Sequence, residues 1–322
     1  MIMLLALCAH IIFGKTETRS EINLYRVSSV EVESSWKNLT DKCTITLPRK
    51  LKDFDKYKVR EVFKRGDSVT VNLGYNGKLV QEFKGYIVSV SADIPVKIVC
   101  EDEMYKLKSL PVNYATNNCY LPDLIKTIAP GYQYDVAEYN IGSVRFPKTT
   151  VAQVLQKLKN DYGFYSYFQN GKLTVGKIYA DQQKTVDIDL EKIITNNLEY
   201  KTKDDKRIKL TAVSTKIKGD KIEVSIGDQD GEERQLTYFN ITNESDLRKL
   251  AQKDYDKYMA DGFEGTIDDF AIQQPKHGDK LNITSQLYPE RKGLYYCDSV
   301  TTKFEKAIYH RTLNVGQKVT TA

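Results

Sequence analysis

Apolar and polar residues alternate along much of the chain, the two-residue period of strands that bury one face. The alternation is loose from Glu21 to Val32 and resumes at Cys43-Thr44-Ile45-Thr46-Leu47 before Pro48 stops it. A hairpin follows. Asp67 to Leu73 alternates, Asn76-Gly77 supplies the positive φ angles of a tight turn, and Leu79 to Val90 returns as the partner strand. Pro95 to Cys100 adds another strand. Up to about Lys108 this pattern predicts a small antiparallel unit that curls into a barrel, because curling hides strand edges. The apolar opening, residues 1–13, admits two readings: a first strand ending at Gly14, or a processed segment. It lacks the basic start and A-x-A-like site of a signal peptide and is too short to span a bilayer, so no membrane anchor is expected.

The period changes after Leu110. Prolines between Pro111 and Pro130 and the pair Asn117-Asn118 break regular structure, leaving room for a short helix from about Leu121 to Ile128. From Thr149 to Tyr162 the spacing is helical: Thr149 or Thr150 can cap, Val151, Val154, Leu155 and Leu158 share a face, and Gly163 stops the helix. Phe164 to Phe168, a turn at Asn170-Gly171 and Leu173 to Val175 predict a hairpin. Strands return from Val186, with Lys209 to Ile217 and Lys221 to Ile226 joined across Lys218-Gly219-Asp220. One helix interrupts them, capped by Ser245, with Leu247, Leu250, Ala251, Tyr255 and Tyr258 as its apolar face and Gly262 as its stop. The expected fold is mainly β with an α+β insertion. Residues 1–110 form a first antiparallel β-barrel, 111–181 a small α/β unit, and 182–322 a second β-barrel holding a helix at about 245–261.

An internal echo bears on that architecture. Gly66-Asp67-Ser68-Val69-Thr70-Val71 matches Gly278-Asp279-Lys280-Leu281-Asn282-Ile283, each a glycine turn opening an alternating strand. Each is followed by a return strand ending in Ser-Val, at Ser89-Val90 and at Ser299-Val300. Either any two hairpins look this much alike, or the chain carries two related barrels. In the second case three copies present six similar barrels around one axis.

Composition narrows the function. The chain has 322 residues, 41% hydrophobic and 28% charged, which suits two or three folded units. A net charge of +5, spread evenly, gives no phosphate-reading stripe, so sequence-specific nucleic-acid binding is not expected. Twenty-two tyrosines and 11 phenylalanines favour strands and protein interfaces. The five cysteines, at 8, 43, 100, 119 and 297, form neither a zinc spacing nor a disulfide framework, which suits synthesis in a reducing cytoplasm.

Catalysis needs convergent groups, and the inventory is thin. His10, His277 and His310 fall in no paired spacing and read as surface or turn residues. Glu101-Asp102-Glu103 could serve metal or acid–base chemistry, but reads better as an acidic helix start facing Lys106 and Lys108. Arg65-Gly66-Asp67 spells an adhesion tripeptide, yet its glycine is explained by the turn. No catalytic residue, metal site or cofactor is expected.

Four stretches carry a family resemblance. Residues Trp36 to Pro48 resemble the early strand pair of phage baseplate hub proteins. Glu82 to Ile87 followed by Pro95 to Lys108 resembles a further hub run. Val151 to Val175 is similar to the hub's helix and aromatic hairpin, and Asp261 to Gly265 with His277-Gly278-Asp279 to the stretch entering its second barrel. The resemblance implies a non-enzymatic, homotrimeric ring in the tail of a virion. That ring joins the tail tube to a separate central spike and surrounds a channel through which DNA passes without sequence-specific binding. Loop position nominates Tyr75, Asn76 and Gly77, and Glu290, Arg291 and Lys292, as contacts to tube, spike or neighbouring subunits. Two rivals stay open: the hub of a phage-derived contractile injection or secretion device, and a tail-tip peptidoglycan hydrolase. A secreted β-rich carbohydrate- or adhesion-binding protein is a more distant reading.

Overall fold

A computed structural model of the chain describes residues 6–48, 62–91, 94–181, 183–215, 221–239, 241, 243–306 and 308–319. The first half holds β1 (Leu7–Phe13), β2 (Ile22–Leu24), β3 (Ser29–Ser35), β4 (Lys42–Thr46), β5 (Ser68–Tyr75), β6 (Lys78–Val90), β7 (Lys97–Glu101) and a helical turn, α1 (Met104–Leu107). The middle holds β8 (Pro111–Thr116), α2 (Leu121–Ile128), β9 (Gln133–Val136), β10 (Val144–Thr150), α3 (Val151–Tyr162), β11 (Ser166–Gln169) and β12 (Lys172–Val175). Then come β13 (Thr185–Asp189), β14 (Thr195–Lys201), β15 (Ile208–Thr215), β16 (Lys221–Gly227), β17 (Glu232–Phe239) and α4 (Glu244–Tyr258). The chain closes with β18 (Gly262–Asp269), β19 (Lys280–Thr284), β20 (Gly293–Glu305) and β21 (Ile308–Lys318). The first five residues of the expected opening strand and the turn at Lys218-Gly219-Asp220 lie outside the described residues.

A single 13-stranded sheet runs through both β-rich halves in the order β14-β18-β21-β20-β3-β4-β7-β6-β5-β1-β2, with β19 on the other stretch of β20 and β13 beside β19. Alternation explains its two cores. In the first half Ile11, Phe13, Val30, Ile45, Val69, Val71, Leu73, Ile87 and Ile98 face inward together. In the second Ile267, Leu281, Ile283, Tyr295, Cys297 and Leu313 do the same. The long hairpin β20–β21 belongs to both. Its base packs in the second core, while Phe304 and Tyr309 near its tip lie in the first.

The echo extends from sequence into hydrogen bonding. Gly66 and Gly278 both adopt positive φ, 91° and 84°, which a glycine takes at least cost. Gly66 donates to Ile87 O at 2.8 Å and Gly278 to Cys297 O at 2.7 Å; Ile87 donates back to Asp67 O and Cys297 to Asp279 O. Each aspartate folds its carboxylate onto the amide three residues earlier, Asp67 onto Lys64 and Asp279 onto Lys276. A register shift then falls at the same place in each return strand, between Ile87 and Ser89 against β7 and between Cys297 and Ser299 against β21. With these as anchors, β3-β4-β7-β6-β5 superposes in order and direction on β14-β18-β21-β20-β19. The match ends at the next strand, where β1 pairs antiparallel with β5 but β13 pairs parallel with β19.

The middle unit packs α2 and α3 with two small sheets around Leu121, Leu124, Val154, Leu155, Leu158 and Leu173. Thr150 caps α3 in a reciprocal pair with Gln153, and Gly163 ends it in the left-handed conformation, as the sequence predicts. The later helix differs in detail. Asn243, not Ser245, caps α4 by accepting from Asp246 N at 2.7 Å. Leu250 is 40% exposed, whereas Leu247 and Ala251 are buried in the small core beneath and Tyr255 and Tyr258 pack against it, as expected. That core includes Leu210, Ala212 and Val224 from β15 and β16. The sheet under it has the order β16-β15-β17, its β15–β17 pair parallel, so α4 is the cover of a small α/β insert.

Candidate interface surfaces

The two nominated turns occupy equivalent corners of the repeat: Tyr75, Asn76 and Gly77 join β5 to β6, and Glu290, Arg291 and Lys292 precede β20 after β19. They are not brought together. At the first corner Asn76 and Gly77 take φ of 52° and 78°, the pair of positive values that a two-residue hairpin turn requires. Asn76 is tied to the opening strand, since it exchanges hydrogen bonds with Ala6 through its amide and its Oδ1, both at 2.8 Å. Tyr75 points the other way, its hydroxyl within hydrogen-bond reach of the carbonyls of Tyr309 at 2.7 Å and Phe270 at 2.9 Å. This corner is therefore already occupied, by the tip of the β20–β21 hairpin from the second half.

The second corner is open. Pro289–Arg291 form a short 3-10 turn, and the Arg291 guanidinium lies over the rings of Tyr288, at 4.4 Å, and Tyr200, at 5.4 Å. The Glu191 carboxylate accepts from Ser285 Oγ at 2.7 Å and from the Gln286 amide at 3.1 Å, holding the loop in shape. Leu287 and Tyr288 are 75% and 51% exposed on it. Beside it β14 pairs with β18 on one side and has no strand on the other among the described residues.

Sequence reasoning missed the groups that lock the halves together. Arg311 is 1% exposed and pairs with Glu82 at 2.5 Å, and it also donates to Gln273 O. Tyr309 donates to the same Glu82 oxygen at 2.7 Å. A signal was present: alternation puts Arg311 on one face with Tyr309, Leu313 and Val315, so a charge falls on a buried row. An aromatic column joins all three units. Trp36 meets Tyr165 edge-on at 4.6 Å, and Tyr179 stacks on Tyr296 at 3.8 Å while its hydroxyl donates to Asp298 at 2.7 Å.

A polar cleft of about 550 Å³ lies among the units, lined in part by Asp41, Asp102, Gln169, His277 and Arg311. Asp102 accepts from the Asp41 and Met104 amides at 3.2 and 3.0 Å, and Asp41 accepts from Ser34 Oγ at 2.6 Å. Burial pushes the Asp41 carboxyl up to about 7, against the pull of Ser34, Ser35 and the Lys276 charge. Burial, and then the Asp41 charge, hold Asp102 well above the carboxylate range. His277 stands in the expected turn but only 2% exposed, and desolvation holds its imidazole down to about 4. The flanking acids pair as the sequence predicts, Glu101 with Lys108 and Glu103 with Lys106. Cys43 and Cys100 face one another across β4 and β7, both thiols raised by burial, the opposite of what a nucleophile needs. Among the described residues no group of three or more His, Cys, Asp or Glu is placed to hold a metal, and no helix is long and apolar enough to cross a membrane.

No protein-family model and no curated protein sequence matches the chain. Solved structures match it by shape. A tail protein from Neisseria meningitidis aligns over 97% of this chain and 96% of its own, at 15% identity and a TM-score of 0.63. The 43 kDa tail protein of prophage MuSo2 from Shewanella oneidensis aligns over 96% and 98%, at 14% identity and a TM-score of 0.62. An E. coli component of the type VI secretion system, itself similar to T4 bacteriophage tail proteins, aligns over 90% and 73%, at 9% identity and a TM-score of 0.55. The chain thus has the fold of phage tail proteins, which this secretion component shares.

Proposed function

We propose that the chain is a structural hub subunit of a phage-type tail baseplate. Three copies close into a ring that joins the tail tube to a central spike and surrounds the channel through which DNA leaves. The observation that carries this reading is the strand-by-strand repeat within one sheet, in a fold that aligns end to end with tail proteins. Two related halves per copy let three copies offer six similar faces, which matches a six-fold tube to a three-fold ring. The work is mechanical. Buried side chains lock the halves, the raised thiols are inert, and shape joins the parts.

The type VI secretion component among the matches favours one second reading, the hub of a contractile injection device that delivers protein. Antibody against the chain, applied to purified particles and viewed by electron microscopy, is expected to label the distal end of the tail. Label along the tube, or on a head, contradicts both readings. Packaged DNA in the labelled particles separates the first reading from the second.

A further inference from the structure

The repeat assigns a partner to each of its edges, and one assignment is unfilled within the chain. On β3 the edge away from β4 is taken by the second half of β20, which pairs Ser299 with Ser35, Val300 with Ser34 and Thr301 with Glu33. The counterpart of β3 is β14. Cys100 and Val315 are equivalent, since Ile87 and Cys297 face them just before the shared register shift. Cys43 and Gly265 are then equivalent as their partners, and the ladders place Ser34 with Tyr200 and Ser35 with Lys201. The edge of β14 that corresponds to the occupied edge of β3 carries no strand among the described residues. The Leu198 amide on β14 donates to its own neighbour, the Asn196 side chain, at 3.4 Å. An open edge of this kind is a ready template for another strand.

The same equivalence names the donor. The counterpart of the β20–β21 hairpin is β6–β7, with Ser89, Val90 and Ser91 in the places of Ser299, Val300 and Thr301. Counting back along β7 and β21 from Ile98 and Leu313 puts Ile94 in the place of Tyr309. Their surroundings differ sharply. Tyr309 is 3% exposed, packed on Tyr75 at 5.2 Å and Phe304 at 5.7 Å. Ile94 is 73% exposed. The corner equivalent to that of Tyr75 is the one where Leu287 and Tyr288 stand open, so exposed apolar side chains occur on both the donor and the acceptor.

The geometry points to a second copy of this chain as the occupant: Ser89 to Ser91 of one copy add to β14 of the next, Ser89 opposite Lys201, Val90 opposite Tyr200 and Ser91 opposite Glu199, with Ile94 seated on Leu287 and Tyr288. The inference rests on the ring reading and supplies its contact. Repeated head to tail, the contact is heterologous and closes only as a ring. It reproduces between copies the junction that the chain already makes within itself.

Variants of the full chain test it, with mass in solution as the first readout. Ile94→Asp changes a side chain exposed in the single copy, so near-ultraviolet circular dichroism and the unfolding midpoint are expected to match the parent. Its trimer dissociation constant is expected to rise about ten- to a hundredfold, the value of one buried isoleucine. Tyr120→Ser, on the middle unit, is expected to leave the trimer unchanged. In a Ser89→Cys, Lys201→Cys variant treated with copper phenanthroline, disulfide-linked ladders up to trimer are expected, and neither single variant gives them beyond dimer. A parent that forms trimers while Ile94→Asp does so equally well, and the cysteine pair does not link, overturns this contact and leaves the ring standing. A parent that stays monomeric at high concentration sinks the ring itself.

Discussion

Arg311 and Glu82 show how much of the architecture depends on single side chains. Their charges are nearly sealed from water between the two halves, with side chains 1% and 8% exposed. Removing one partner from such a pair leaves a buried charge unmatched, at a cost of about 3–5 kcal/mol. Glu82→Gln is expected to lower stability by that order in a urea titration. A change under about 1 kcal/mol, the size of an ordinary hydrogen bond, contradicts a sealed junction. Asp41 acts in the opposite sense. Its carboxyl rises from 3.8 to about 7 on folding, so the folded chain holds a proton that the unfolded chain releases. The stability associated with that proton is complete below pH 3.8, declines as pH rises, and is gone above about 7. Asp41→Asn removes its own share of the titration and leaves that of Asp102, so its melting temperature relative to the parent is expected to climb between pH 4 and 7.5. An offset that does not vary with pH counts against the buried acid. Neither residue was legible as a site. Asp41 sits in a short polar connection whose burial comes from units far off in sequence, whereas Arg311 was at least visible as a charge on an apolar row.

Elements that depend on local chemistry were the most legible. The Thr150 cap, the Gly163 stop and the Asn76-Gly77 turn each satisfy backbone groups within a few residues, so a short window contains the cause. The insert was harder, because β17 passes over β16 in strand order to pair parallel with β15, and no short window of sequence marks such a pairing. The cap of α4 was misplaced by two residues, since Asn243 and Ser245 are both good caps and only the Asp246 amide decides between them. The Gly-Asp turns give an element-scale prediction. Asp279 is 3% exposed and accepts from the Lys276 and Lys184 amides at 2.8 and 3.1 Å. Asp67 accepts from Lys64 and Arg19, each at 3.2 Å. Asp279→Ala is expected to cost about 1–3 kcal/mol, the penalty for leaving buried donors unpaired, and Asp67→Ala a similar or smaller amount. Equal urea midpoints for Asp279→Ala and the parent refute a structural role for the repeated turn.

At the scale of the whole molecule, strand alternation and the Gly-Asp echo were enough to suggest two related β units around an α/β unit. The continuity of the sheet was not visible, because the β20–β3 junction joins residues more than 260 positions apart and nothing local marks it. That junction ties the two halves into one sheet, and β14 is one of its ends. In the proposed ring the β14 edge of each copy takes β6 of the next, a contact that repeats until the ring closes. The direct test is the mass of the purified chain in solution at high concentration, by light scattering after size exclusion. Three chain masses, with class averages showing a ring around a central hole, are the expected result. A particle of one chain mass, or an even-numbered assembly without a hole, contradicts the account.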